Sequence, residues 1–391
     1  MKIEQRTWDR HVGWSASAAA GEMKADLVLV FGSVSAFERA EPLAELKAFY
    51  PAARFAGCST AGEIRGTQVL DETLVATALQ FDRAAVRTAS VTIDEMSESF
   101  SAGERLAQLL PPTAELPAPA GGEGPLVHVF VFSDGLHVNG SDLVRGLMQR
   151  LPARVTATGG LAADGARFSA TVVVADGGPA AKTVAAVALY GSALRVGFGS
   201  LGGWDPFGPE RMITRSRGNV LCELDGRSAL ELYEQYLGDQ ARELPASGLL
   251  YPLSLRTKSG EPAVVRTILA VDRERMTMTF AGDMPEGSYA RLMKANFDRL
   301  IDGAMGAAQT SFEAIGERDP DFALLISCVG RKLVLKQRVE EEVEGVRDVL
   351  GPRTVLAGFY SYGEISPFTP GAKCELHNQT MTVTTLSEME T

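Results

Sequence analysis

Ala56-Gly57-Cys58-Ser59-Thr60-Ala61-Gly62-Glu63-Ile64 returns near the far end of the chain as Ala357-Gly358-Phe359-Tyr360-Ser361-Tyr362-Gly363-Glu364-Ile365. The two stretches have the same length, and Ala-Gly at the front and Gly-Glu-Ile at the back align without a gap. A match of five residues in register points to one supersecondary unit used more than once, with the same polar turn exposed each time. The flanks agree. An apolar run over residues 27–31, a helix-like stretch over 42–50 and Arg54-Phe55 precede the first copy, and an apolar run over 74–79 follows it. Residues 323–327, a helix-like stretch through Val339 and Val349, and Thr354-Val355-Leu356 precede the second copy, with residues 381–386 after it. A weaker third member runs through residues 127–132, 143–148, Thr158-Gly159-Gly160-Leu161-Ala162-Ala163-Asp164-Gly165 and 171–174. Each unit reads strand, helix, strand, glycine turn, strand, and the continuous apolar runs fit strands covered on both faces.

The expected fold is therefore α/β: two related halves of mixed sheets flanked by helices, packed around a pocket between turns, with an α+β layered sandwich as the alternative. The 391 residues are ample for two or three cores. Residues 1–24 read as an N-terminal extension, 25–203 as the N-terminal half and 204–391 as the C-terminal half. Residues 110–122, rich in proline and glycine, read as a surface loop, and 197–209 as the crossing between halves. Helices are expected over 228–237 and 288–308 from their apolar spacing.

Charge and composition narrow the function classes. Hydrophobic residues are 45% and charged residues 22%, an ordinary globular balance, and the net charge of −11 argues against a nucleic-acid partner. The first residues have no apolar core of the signal-peptide kind, and no apolar run approaches the roughly 20 residues that span a bilayer. Four cysteines, widely spaced and without Cys-x-x-Cys, suggest a reduced cytoplasmic protein.

The repeated turns carry the candidate ligand chemistry. Gly62 and Gly363 let main-chain N–H groups approach a ligand, Ser59, Thr60, Ser361 and Tyr362 add hydroxyls, and Glu63 and Glu364 add carboxylates. That set suits an amino-acid-like molecule with both charged ends. The plainer reading makes each Gly-Glu pair a turn whose glutamate is solvated or binds local backbone. Gly197-Phe198-Gly199-Ser200-Leu201-Gly202 matches the dinucleotide fingerprint, but Pro206 and Pro209 forbid the helix that would hold the pyrophosphate. Ser59 and Ser361 lack the flanking glycines of a nucleophile elbow, and no histidine lies near either in sequence, so no catalytic activity is expected.

Cys58–Ile64, the block from Gly358 to Pro367, and Cys374-Glu375-Leu376-His377-Asn378-Gln379-Thr380 together resemble the FIST family (F-box and intracellular signal transduction). The resemblance spans residues 25–386 and includes Gly203-Trp204, Asn219-Val220-Leu221 and Pro285-Glu286-Gly287-Ser288. It implies a cytoplasmic sensory module that binds a small ligand, with amino acids proposed for the family. The alternative it implies is a haem b protein that senses nitric oxide and acts on a histidine kinase. One axial donor suffices for haem, and His377 and His137 are the candidates, while Cys374-x-x-His377 lacks the second pair a zinc site needs. His377 is expected to share one cavity with Ser361, Tyr362 and Glu364, because the loop through Pro367 and Pro370 can fold its strand back beside the turn.

Overall fold

The computed structural model describes residues 1–15, 23–117, 121–256, 263–316, 318–368 and 371–389. Pro370 lies outside them. The first unit contains β1 (Lys2–Asp9), β2 (Leu27–Gly32), α1 (Ala40–Phe49), β3 (Arg54–Ser59), the hairpin β4 (Glu63–Arg65) and β5 (Gln68–Leu70), and β6 (Leu74–Gln80). The second contains β7 (Ala85–Thr92), α2 (Ser99–Gln108), β8 (Glu123–Ser133), α3 (Gly140–Arg150), β9 (Thr156–Leu161), the hairpin β10 (Val173–Ala175) and β11 (Gly178–Ala180), and β12 (Thr183–Tyr190). The third contains β13 (Leu194–Leu201), α4 (Phe297–Ala314), β14 (Phe322–Cys328), α5 (Val329–Leu335), α6 (Val339–Leu350), β15 (Val355–Ser361), the hairpin β16 (Gly363–Pro367) and β17 (Cys374–His377), and β18 (Met381–Glu388).

Mixed sheets flanked by helices are the architecture expected, and the weak middle member of the repeat is a full one. In each unit two parallel strands are joined across a helix: β2–β3, β8–β9 and β14–β15. The closing strand lies antiparallel beside the first of the pair, and the lead-in strand lies beyond it. The hairpin does not stay at home. β4 pairs with β15, β16 with β9, and β10 with β3. Three sheets of one order result: β11-β10-β3-β2-β6-β1, β17-β16-β9-β8-β12-β7 and β5-β4-β15-β14-β18-β13. Each unit thus completes another unit's sheet, and the exchange closes in a ring of three.

Where the inner faces of the sheets meet, the core is aromatic. Phe31 lies 5.5 Å from Phe132 and 4.6 Å from Phe359 between ring centroids, and Phe132 and Phe359 are 6.2 Å apart. Burying each such ring contributes roughly 1.5–3 kcal/mol. The parallel strands come this close at one repeated position. A Cβ on Gly57, Gly159 or Gly358 would stand 1.8, 1.9 or 1.8 Å from the carbonyl oxygen of Val30, Val131 or Leu325. The Ala-Gly and Thr-Gly of the motif therefore mark the position in each of the three sheets where the partner strand's carbonyl leaves no room for a side chain.

Residues 204–295 interrupt the third unit between β13 and α4 as a β-rich insertion. Its strands, from Trp204–Arg217 to Tyr289–Ala295, enclose a separate core of Ile213, Leu230, Tyr233, Leu255, Ile268 and Phe280 under the helix Ala229–Leu237. Fully buried Arg331 pins both ends of it, donating to the Gly202 carbonyl and the Leu300 carbonyl at 2.6 Å each while pairing with buried Glu342 at 2.8 Å.

Several sequence expectations change. The chain does not part at 203/204 into two halves, because the third unit spans that point and its hairpin builds the second unit's sheet. Residues 2–9 are the lead-in strand of the first sheet rather than an extension, paired from Lys2↔Gln80 to Trp8↔Leu74. The helix expected over 228–237 forms as Ala229–Leu237, capped by Ser228. The helix expected over 288–308 starts later, at Phe297, where the Asn296 side chain caps the Arg299 N–H; the alternating Tyr289–Ala295 is a strand. The glycine-rich 197–202 stretch is no connector but belongs largely to β13. A Cβ on Gly197 or Gly199 would stand 2.1 Å from the Ser311 carbonyl oxygen or 2.3 Å from that of Ala307, so these glycines seat α4 against the sheet.

Gly57→Ala, Gly159→Ala and Gly358→Ala are each expected to lower stability by roughly 3 kcal/mol or more, since a backbone carbonyl cannot move aside. Gly177→Ala, with open space around its Cβ, is expected to stay within about 0.5 kcal/mol of the parent. Denaturant unfolding of the four variants checks this.

Candidate functional site

The two Gly-Glu-Ile turns occupy equivalent places, and the three turns meet. Ala61 N–H donates to the Tyr360 carbonyl at 2.8 Å, Tyr362 N–H to Leu161 at 3.1 Å, and Ala163 N–H to Ser59 at 2.8 Å. These are matching positions of the three units, so the meeting point is a ring of main-chain hydrogen bonds.

Each glutamate is a brace between sheets. Glu63 Oε1 accepts from Thr60 Oγ1 at 2.5 Å, and its Oε2 accepts from Thr73 Oγ1 at 2.7 Å and Thr73 N at 3.3 Å. Glu364 Oε1 accepts from Ser361 Oγ at 2.5 Å, and its Oε2 accepts from Thr380 Oγ1 at 3.0 Å and Thr380 N at 3.1 Å. Thr73 and Thr380 lead into β6 and β18, whereas the glutamates sit on hairpins that have left for another sheet. Both glutamates are buried. The second unit has no such glutamate: Asp164, at the position of Gly62 and Gly363, accepts from the Ser169 and Ala170 N–H groups at 3.0 Å and from the Tyr362 hydroxyl, while the Lys182 N–H before the closing strand donates to Asp134 Oδ2 at 2.9 Å.

The other expected site residues are spent in the same way. Ser59 Oγ accepts from Val172 N at 3.0 Å, and Thr60 Oγ1 also accepts from Gly62 N at 3.2 Å. Gly62 has φ +141°, and a Cβ there would meet Lys332 Nζ at 2.4 Å. The Tyr362 ring stacks on Phe168 at 4.4 Å, and Gly363 packs 3.1 Å (as a Cβ would) from Asn378 Nδ2. His377 does lie beside the turn, its residue paired directly with Glu364 in the β16–β17 ladder. The expected neighbourhood of Ser361, Tyr362, Glu364 and His377 forms, but as packed interior.

An open site lies one strand further out. A cleft of about 870 Å³ separates the second unit from the insertion. Val144 and Met148 on α3, Val155 after it, and Leu376 on the edge strand β17 form one wall. Leu255, Val264 and Arg266 of the insertion form the other. None of Ser59, Thr60, Glu63, Ser361, Tyr362, Glu364 or His377 lines it. From the cleft wall the chain runs straight into the joint: Asn378 Nδ2 donates to the Tyr362 carbonyl at 3.1 Å, while Gln379 Nε2 donates to the Leu249 carbonyl at 2.9 Å and to Thr267 Oγ1 at 3.1 Å. Trp204 Nε1 donates to the Gln379 carbonyl at 2.9 Å. Sequence reasoning singled out residues 374–380 but missed the opposing wall. The signal there was Arg266, a charge inside the apolar run Val264-Val265-Arg266-Thr267-Ile268-Leu269.

The two histidines do not fit a haem in this cleft. His377 is fully buried, its Nε2–H donates to the Ser366 carbonyl at 2.7 Å, and its ring packs 4.0 Å from Phe368. Burial lowers its pKa to about 4, and its unpartnered Nδ1 belongs to a residue outside the cleft lining. The His137 side chain is 44% exposed, with Nδ1 at 3.1 Å from Asp134 Oδ1, and it too lies outside the lining. Among the described residues no cluster of three or more His, Cys, Asp or Glu is arranged to hold a metal.

The family comparison agrees with the resemblance carried by the two Gly-Glu-Ile turns, one in each matched region. A FIST N domain profile matches residues 26–227 and a FIST C domain profile matches residues 229–367. The chain belongs to the FIST family. FIST domains are sensory modules of signal transduction that bind small ligands. The boundary between the two profiles falls inside the insertion, at the cap of its helix, and no curated protein matches the chain. No helix among the described residues is long and apolar enough to cross a membrane.

Burial raises both turn carboxyls, Glu63 to about 7 and Glu364 to about 8. An unfolded glutamate titrates near about 4.3. The folded chain therefore keeps protons that the unfolded chain has released, and stability falls as pH rises through that window, by at most about 1.4 kcal/mol per pH unit for each group. The combined Glu63→Gln and Glu364→Gln variant is expected to lose stability less steeply than the parent between about pH 5 and pH 8. Denaturant midpoints across that range check it, and equal slopes would remove the assignment.

Proposed function

We propose that this FIST chain is an intracellular sensory protein without catalytic activity of its own, and that its small ligand enters the cleft between the second unit and the insertion. One observation carries the reading. The cleft lies between the second unit and an insertion that has a core of its own, so a molecule bridging the walls stabilises one relative placement of insertion and body over others. Its size suits a drug-sized molecule, for which pockets run roughly 300–1,000 Å³. The wall strand β17 leads directly into the Asn378–Gln379 joint, a route by which occupancy reaches the interior of the insertion and, through its placement, a signalling partner such as a histidine kinase. The four cysteines are unpaired, as suits a reducing compartment.

This replaces the turns as the ligand site while keeping the sensory role. The turn glutamates are buried and already accept from threonine and serine within the protein, which favours the cleft over the turns for the ligand.

A thermal-shift screen of small metabolites tests the cleft. A ligand at a hundredfold excess over its Kd stabilises by roughly 2.7 kcal/mol, which reads as a shift of a few degrees. Met148→Trp, which fills the cleft from α3, is expected to abolish the shift. Ser59→Ala, behind the wall, is expected to preserve it. The opposite pattern would return the ligand to the turns.

A further inference from the structure

Arg266 is 6% exposed and lines the cleft, yet it forms no ion pair among the described residues. Its donors go to backbone oxygens: Nη1 to Leu376 at 2.8 Å and to Val265 at 3.3 Å, and Nε to Asp283 at 3.3 Å. Two lining acids, Glu375 and Asp283, act on it only through space, beyond ion-pair distance. The Asp283 carboxylate accepts from Asn139 Nδ2 at 3.0 Å and stands 3.7 Å from Arg145 Nη1. Gly282 keeps the guanidinium flat against the backbone, since a Cβ there would stand 2.9 Å from Nε. A buried guanidinium with no carboxylate in direct contact is costly, and burial pulls this one down to about 10. Natural chains retain such a group where something else brings the negative charge.

The lining points the same way. Arg145, Arg154, Arg266 and Lys373 face two acids, Asp283 and Glu375, in a chain whose net charge is −11. Between these charges the walls are apolar, with Val144, Met148, Val155, Phe198, Leu255 and Val264. We infer that the ligand of the cleft is a small apolar monocarboxylate, its carboxylate held by the Arg266 guanidinium and its body laid along the α3 wall. An amino acid fits less well, because, of the two acids its ammonium could use, Asp283 is committed to Asn139 and Arg145, and Glu375 is already engaged within the protein. The inference rests on the cleft being the ligand site.

The probes are 3-phenylpropanoate, octanoate, the primary amide of each, L-phenylalanine and inorganic phosphate, tested by calorimetry and thermal shift on the full chain. Both carboxylates are expected to bind at least tenfold more tightly than their amides, and 3-phenylpropanoate more tightly than L-phenylalanine. Arg266→Gln is expected to erase the carboxylate preference. Because Arg266 also braces the Leu376 and Asp283 carbonyls, exposed Arg154→Gln serves as a second variant, expected to weaken the carboxylates about threefold with the amides unchanged. Amides binding as well as carboxylates, with Met148→Trp blocking both, would overturn the anion and leave the cleft intact. Carboxylate binding that survives Met148→Trp would overturn the cleft itself. Tighter binding of L-phenylalanine, displacement of 3-phenylpropanoate by phosphate, no binding by either carboxylate, or an undiminished preference in both arginine variants would each overturn the monocarboxylate.

Discussion

A buried carboxyl group that ties a departing hairpin to the closing strand of its own unit is the interaction on which this architecture depends. Glu63 and Glu364 each sit at the point where the chain leaves one sheet for another, and each holds the Thr that starts the returning strand. Without that bond the chain entering β4 or β16 would expose main-chain groups in an interior that offers few other partners. The exchange also explains why no unit is a domain. Each sheet takes two strands from elsewhere, so the hydrophobic faces close only when all three units are in place.

The insertion obeys a different constraint. It has its own core and meets the three-unit body through the hydrogen bonds of Gln379 to Leu249 and Thr267 and through a small apolar cluster of Trp204 and Met293 with Leu300, Val334 and Leu335. The hydrogen bonds of that joint have defined geometry, which fixes the placement of the insertion. A cleft beside such a joint is a natural place for a ligand to act. The filled turns lie behind it, and the edge strand β17 stands between the two.

Glycine carries different meanings at different places in this chain. Gly57, Gly159 and Gly358 mark close approach between parallel strands, and Gly197 and Gly199 mark close approach of a helix to a sheet. The second set imitates a dinucleotide fingerprint in spacing. Prolines after it exclude the nucleotide reading, and the contact with α4 supplies the physical cause of the pattern.

The sequence alone determined that one strand-helix-strand-turn unit recurs, since the periodic apolar runs and the Gly-Glu-Ile turn are local signals written at each copy. It also determined that Glu63 and Glu364 are equivalent and that His377 lies beside the second turn. It left open whether the turn glutamates face a ligand or the backbone, because a side chain's partner at Thr73 or Thr380 depends on where the next strand returns. The hairpin exchange was not legible, because strand pairing between units is non-local and a short strand such as Glu63–Arg65 suits either sheet equally. The alternation in residues 2–9 and 289–295 was readable as strand but was outweighed by position and by helical spacing further on. Only the tertiary structure brought Arg266 opposite α3 and β17, because that wall exists only once the insertion has docked.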